Sequence, residues 1–389
     1  MIDLRRNKSQ LVYSAVQALY WLTYGLMFAF AAAYLQSAGF TNSEIGLILC
    51  FSYCASAVMQ PILSELYARI PFRIERSLCC VYGIVLFLSS CLLLFTMPKA
   101  LFALTVVMVF SLESAAQPAI NSLAQRWNRF SPVDFGSSRG FSSVLYACMT
   151  LAVGSFLKWM PAFFLPALYL KTSGMLFCIL FLVDIPTDKK ENSQTDHREF
   201  DRPVKLQDRG FLRILAGITC LSFSHILIDN FMLQIMQYLG GGSAHLGIAA
   251  ALAAIVEYPA MKLSGRLGKR YGNRQVLIFA GFAWTAKTLL IFLAKSPGVV
   301  YAASLLQFFS YGLYTPIIVA LIEEEFPPEE NLYRLSLTGT AYTVGCIIAA
   351  AIGGILIDRL GVHDTLLIAV PISLSGALLF LAGRKEERE

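Results

Sequence analysis

Long apolar runs separated by short polar or basic stretches fill this chain almost from end to end, lying near 11–35, 44–66, 76–97, 100–124, 137–157, 163–183, 211–237, 245–266, 275–294, 298–322, 334–356 and 365–382. Each is close to the ~20 residues a helix needs to cross the hydrocarbon core, whereas strands of a membrane barrel would be about half as long and would alternate. A helix also satisfies its own backbone hydrogen bonds in lipid. The pattern predicts an all-α polytopic membrane protein with twelve transmembrane helices. Asp184 to Gly210, rich in Asp, Lys, Glu, Ser, Gln and Arg, separates the sixth run from the seventh and reads as a cytosolic linker. The expected domains are a six-helix bundle over 1–184, a linker over 185–210 and a second six-helix bundle over 211–389.

The halves repeat each other. Pro61 and Pro259 fall in the second and eighth runs, Pro118 and Pro316 in the fourth and tenth, both pairs 198 residues apart. A proline inside a span removes a hydrogen bond, so two matched pairs carry weight. Arg69-Ile70-Pro71-Phe72-Arg73 is echoed by Arg270-Tyr271-Gly272-Asn273-Arg274 at an offset of 201. A parallel duplication is expected.

Composition agrees and charge adds orientation. Hydrophobic residues make up 57% of the 389 and charged ones 14%, against roughly 25% charged in a soluble protein. The net charge of +6 would suggest nucleic acid elsewhere, but here 23 basic residues lie at the termini, in the linker and in alternate connections, with only Lys99, Lys158, Lys295 and Arg359 in the others. The positive-inside rule then places both termini and the linker in the cytoplasm, the protein in the plasma (cytoplasmic) membrane, and no nucleic acid among its partners. The nine cysteines sit almost all within apolar runs, without C-x-x-C or histidine neighbours at metal spacing, and read as packing residues. The first run is too long for a signal h-region and lacks an A-x-A site, so it is expected to stay as the first span. No phosphate loop, HExxH or nucleophile elbow is present. Neither catalysis nor a cofactor or metal is expected.

Ionisable groups far from span ends are the candidate chemistry, because a charge at the bilayer centre costs about 2.5–3.5 kcal/mol even on the mildest scale. They are Glu113, His225 with Asp229, Glu257 and Lys287, with Lys171 placed to snorkel. Glu257 and Lys287 lie in sequential antiparallel spans and could meet as an ion pair, either locking two helices or coupling an ion to a solute. Glu113, alone on its helix, is either a proton carrier or a protonated carboxyl bonded to a neighbouring helix. Tyr20, Trp21 and Tyr24 with Gln17, Tyr146, Trp284, Tyr311 and Tyr314 could line a wet cavity or sit in interfacial belts. The small residues from Gly345 to Gly354 serve close helix packing. The acidic run around Pro327-Pro328, Glu323 to Glu330, reads as a solvated cytosolic turn.

Twelve spans, a six-plus-six repeat, a polar middle loop and inward termini together resemble the major facilitator superfamily. Gln60 to Arg73 resembles the span two to three motif of the lactose permease branch, with Ala68 where Asp is usual and Pro71 where Gly is. Asp134-Phe135-Gly136-Ser137-Ser138-Arg139-Gly140-Phe141, followed by Tyr146, resembles that branch's fifth helix, which implies sugar-binding roles for Arg139 and Tyr146. By the same resemblance Asn121 stands at the position of the sugar-binding Glu, and Lys287 at that of the coupling Arg. Glu257 lies about one turn from the eighth-helix Glu, and Asp229 lies in the acidic segment of the seventh helix. Tyr311 and Tyr314 replace the proton-handling His and Glu of span ten, so coupling through those two positions is excluded. Tyr34 to Gly46 and Glu257 to Leu267 are similar to phenylpropionate permease-like members. The resemblance implies a monomeric secondary active transporter that takes up a small polar solute (sugar, nucleoside or aromatic carboxylate) with protons by alternating access. The implied solute site is Arg139, Tyr146, Asn121, Tyr24, Tyr311 and Tyr314; the implied proton site is Glu257, Lys287, Glu113 and Asp229. An uncoupled facilitator or a proton-driven efflux pump would share the same features.

Overall fold

The computed structural model describes residues 2–69, 74–94, 97–128, 133–182 and 208–382. Most of the expected linker, the Ile70–Arg73 part of the first-half motif and the C-terminal basic cluster lie outside the described residues. Helices run α1 (Ile2–Phe28), α2 (Ala31–Ser37), α3 (Asn42–Arg69), α4 (Ile74–Leu94), α5 (Lys99–Asn128), α6 (Phe135–Phe156) and α7 (Leu165–Leu182), then α8 (Arg209–Asn230), α9 (Met232–Tyr238), α10 (Ser243–Tyr271), α11 (Asn273–Phe292), α12 (Pro297–Leu305), α13 (Tyr311–Glu325) and α14 (Pro328–Ala382). Ten of these stretches are long and apolar enough to cross a membrane by length and composition. Gly361, at φ 82 and ψ 172, splits α14 into two spans. Together with α6, whose first turn carries polar Ser137, Ser138 and Arg139, this makes twelve crossings among the described residues.

Spans one and seven, expected as continuous helices, each break near the end. Phe30 (φ −110, ψ 12) separates α1 from α2, and Phe231 (φ −113, ψ 22) separates α8 from α9. Both rings are fully buried. No proline or glycine marks either break, so tertiary packing of the two rings sets it. Gly39 and Gly240 follow at φ 82 and φ 78, a backbone region that costs only glycine nothing. The two breaks and these two glycines all share the offset of 201 residues, which makes the duplication visible in the backbone itself.

The chain divides into two compact units, one of residues 1–40 with 51–194, the other of residues 41–50 with 195–389. In the first unit α1 packs against α5, α6 and α7, and α4 against α5 and α7. In the second, α8 lies along α14, and α10, α11 and α13 pack around a core of Ile218, Leu221, Ala260, Ala280, Trp284, Leu313 and Phe380. Small residues let backbones meet, as expected of this stretch. A Cβ on Gly345 would lie 2.6 Å from the Thr219 carbonyl oxygen and 3.0 Å from the Phe223 nitrogen. The start of α3 joins the second unit in the same way: a Cβ on Gly46 would sit 2.4 Å from the Ala350 oxygen, and the Asp358 carboxylate accepts from Asn42 Nδ2 (2.8 Å), the Ser43 nitrogen (2.7 Å) and Ser43 Oγ (2.6 Å).

The acidic run is not a solvated turn throughout. Arg274 donates to both oxygens of Glu325 at 2.8 and 2.5 Å, with the two side chains only 16% and 15% exposed. Asn273 donates to Glu324 at 2.7 Å, and Arg334 to Glu330 at 2.8 Å while its guanidinium lies 3.7 Å from the Phe326 ring centre. The echoed second-half motif supplies the partners that the reading of the run as an isolated turn left out.

Candidate functional site

In the first unit the polar positions gather where α6 begins. Asp134 caps α6 by accepting from the Ser137 nitrogen at 3.1 Å, and Gln10 of α1 ties the cap down through the Asp134 nitrogen (2.7 Å) and Ser138 Oγ (2.9 Å). The next residue is Arg139. Its guanidinium lies 3.7 Å from the ring centre of Trp21, and it donates to Ser143 Oγ one turn on at 2.9 Å. The arginine, half-buried inside a span, thus sits on an aromatic face that a cation favours. Tyr146 covers Gly25, where a Cβ would meet its ring at 2.4 Å. Tyr24 stacks on Phe28 with centroids 3.9 Å apart and meets Trp21 edge-on at 5.3 Å. Asn121 accepts from Gln17 Nε2 at 3.1 Å, in a neutral amide pair. Arg139, Tyr146 and Asn121 therefore all meet the same stretch of α1, which carries Tyr24 and has Trp21 at its centre.

Glu113 is fully buried in the same unit and is joined to this stretch of α1 through Tyr20, whose ring meets Trp21 at 5.5 Å. Its two carboxylate oxygens accept from Tyr82 (3.2 Å) and Tyr169 (3.0 Å), and Tyr20 donates to its backbone oxygen at 3.3 Å. The carboxyl that is alone on its own helix is thus held by phenols from α4 and α7.

In the second unit the expected Glu257–Lys287 contact is indirect. Lys287 Nζ donates to Gln307 Oε1 at 2.7 Å, and Gln307 Nε2 donates to Glu257 Oε1 at 2.9 Å. Lys287 and Gln307 are each only 3% exposed. Gln307 lies in the 3-10 turn Leu306–Phe308 between α12 and α13, a break in the tenth span. Gly312 brings that span onto α10, since a Cβ there would lie 2.7 Å from Ala260 and 3.5 Å from the Glu257 Cα. Beside this link, buried His225 faces Asp229 at 3.5 Å. Its ring meets Trp284 edge-on at 5.2 Å and Tyr311 at 5.4 Å, and Trp284 meets Tyr314 at 5.6 Å. The buried Nδ1 of His225 and Nε1 of Trp284 have no hydrogen-bond partner among the described residues. Asp229, 45% exposed within a span, needs water on that face, because lipid would not tolerate it.

The structure thus joins Glu257, Lys287, Asp229, Tyr311 and Tyr314 in one cluster of the second unit, groups Arg139, Tyr146, Asn121 and Tyr24 in the first, and holds Glu113 between Tyr82 and Tyr169 with Tyr20 linking it to α1. Lys171 is exposed. Sequence reasoning missed Gln307, Tyr82, Tyr169 and Ser143. A search for ionisable groups passes over neutral amides and phenols, yet a lone Gln between Leu306 and Phe308 in an apolar run is itself a signal.

The profile of the MFS_1 like family matches residues 11–368. Maltose permease of Geobacillus stearothermophilus is 24% identical over 387 residues, 97% of this chain and 95% of that protein. The multi-drug resistance efflux pump PmrA homolog of Lactococcus lactis is 30% identical over 170 residues, 43% of this chain and 40% of that protein. The crystal structure of the nucleoside transporter NupG superposes with a TM-score of 0.79 at 14% identity, over 97% of this chain and 99% of that one, a likeness of fold alone.

Proposed function

The chain belongs to the MFS_1 like family and is a multi-pass membrane transporter, not an enzyme, and from that premise we propose proton-coupled uptake of a small polar solute by alternating access. The observation that carries this reading is the link Lys287–Gln307–Glu257, in which Lys287 and Gln307 are buried and Glu257 is half-buried. Such groups inside a span are too costly to keep without a use. A proton on Glu257 changes the charge of the cluster and so biases one conformation over another, with Asp229 beside it and Glu113 as a second carboxylate. Arg139, Tyr146, Asn121 and Tyr24 bind the solute in the first unit, and Tyr311 and Tyr314 in the second. Arg139 on the face of Trp21 suits a solute that presents acceptor oxygens: a sugar, a nucleoside or an aromatic carboxylate. Both termini and the linker face the cytoplasm, the membrane is the cytoplasmic one, and the monomer is the working unit.

The test is accumulation into proteoliposomes across a pH gradient with radiolabelled maltose, uridine and an aromatic acid. Wild type accumulates at least one of them and Glu257→Gln equilibrates it without accumulation. Full accumulation by both Glu257→Gln and Glu113→Gln would reject the proton assignment. A second reading, efflux or uncoupled transport, is favoured by Tyr311 and Tyr314 standing where the lactose permease branch handles its proton. It predicts solute movement indifferent to an inward proton gradient, or opposed to it.

A further inference from the structure

We propose that Gln307 is a positioning residue that conveys the protonation of Glu257 to the Lys287 ammonium, and through it to the aromatic cluster around Trp284. This rests on the reading of Glu257 as the proton-binding carboxylate. The amide has two unlike ends, an acceptor and a donor. Lys287 can only donate, so the amide oxygen faces it; the amide NH2 group then faces Glu257, whose Oε1 accepts it. Turned over, the amide would set NH2 against ammonium and oxygen against carboxylate. The link is therefore polar in one sense and holds while Glu257 Oε1 is an acceptor.

When Glu257 takes a proton it becomes neutral, and the Gln307 Nε2 donor exchanges a charged acceptor for a weaker, neutral carboxyl oxygen. The amide is then held less firmly, and the ammonium, 3% exposed, has a less fixed acceptor and no longer faces a carboxylate charge. Opposite charges in direct contact would merely neutralise each other, whereas an interposed neutral amide turns a proton into a displacement. The turn at Leu306–Phe308 places the amide between α10 and α11, and the close approach at Gly312 keeps α10 within reach. Asp229 and Glu257 both lie within electrostatic range of Lys287. Other titratable groups around the link among the described residues include His225 on α8, Tyr311 and Tyr314 on α13 and Cys346 on α14, while Lys262 on α10 itself lies over the Tyr258 ring at 4.5 Å.

Trp284 stands one turn before Lys287 on α11 and supplies the reporter, since indole emission responds to a nearby charge. The full chain in lipid vesicles is titrated with pH by two spectra that need no solute. Infrared difference follows the carboxyl band lost in Glu257→Gln, and fluorescence follows the emission lost in Trp284→Phe. His225 touches Trp284, and Asp229 and Lys287 lie within electrostatic range of His225, so any emission step that survives Glu257→Gln belongs to one of these groups and is subtracted. In wild type the remaining step shares its midpoint with the Glu257 band. In Gln307→Met, which keeps the volume and removes both polar ends, the band still titrates while the emission step is largely lost. Gln307→Asn, one methylene short of spanning both partners, does the same and serves if the Met variant does not assemble. An emission step that persists at full size in these variants, with the Glu257 band titrating, overturns the role of Gln307. A wild-type Glu257 band that does not titrate overturns the proton reading beneath it, and the two failures appear in different spectra.

Discussion

Replacing Glu113 by Leu probes a fully enclosed carboxyl in the first unit. The carboxyl accepts from Tyr82 at 3.2 Å and from Tyr169 at 3.0 Å, and all three side chains are buried. Glu113→Leu leaves two hydroxyls without an acceptor, at about 1–3 kcal/mol each, hence about 2–6 kcal/mol together. Glu113→Gln keeps an acceptor oxygen and adds an NH2 that a phenol oxygen can accept, so it should cost under about 1.5 kcal/mol. The triple variant Glu113→Leu, Tyr82→Phe, Tyr169→Phe removes donors and acceptor together and should recover most of the loss. The assay is thermal unfolding of the purified protein in one detergent at one pH, with the order Leu below Gln, and the triple variant above Leu alone. A Leu variant as stable as wild type, or a triple variant no better than Leu, would refute the reasoning. The same triple variant separates structure from transport: if it folds and still accumulates solute against a gradient, Glu113 carries no proton.

Gly345→Val drives a branched side chain onto the Thr219 oxygen and Phe223 nitrogen of α8 and should cost at least about 1–3 kcal/mol, read as lost yield of folded protein; Ser222→Gly should not restore it, because the backbone contacts persist. Breaking the largely buried Arg274–Glu325 pair with Glu325→Gln should destabilise by about 2 kcal/mol, more than a surface pair would, and the exchanged pair Arg274→Glu, Glu325→Arg should recover part of it in thermal unfolding. Arg139→Lys keeps the charge but loses the planar face on Trp21, so solute half-saturation should rise about tenfold in counterflow while Trp21→Phe, which retains a ring, changes it less. An unchanged half-saturation in Arg139→Lys would remove Arg139 from the binding site.

Apolar run length and the placement of basic residues were enough to read the fold class, because the bilayer imposes both. The breaks at Phe30 and Phe231 were not readable, since neither carries a local helix-breaking residue and each arises from where its ring packs. Glycines at fixed offsets are the legible trace of the same event: Gly39 and Gly240 sit just past the two short helices with positive φ. Of the candidate site, the buried charges were legible by their cost in lipid, and their partners were not. Glu257 and Lys287 were read as a contact because depth along a helix can be counted, whereas the amide between them comes from the turn at Leu306–Phe308, a three-dimensional event. The acidic run near Pro327 was misread for a similar reason: Arg274 lies 51 positions from Glu325, and no local pattern pairs them.

The central claim is that solute and proton move together through this protein. It is tested most directly by placing the purified wild-type chain in vesicles that contain a pH-sensitive dye, with no imposed gradient, and adding maltose or uridine outside. The account predicts acidification of the lumen as solute enters, and its loss in Glu257→Gln although solute still equilibrates. Solute entry without any proton movement in the wild type would contradict it.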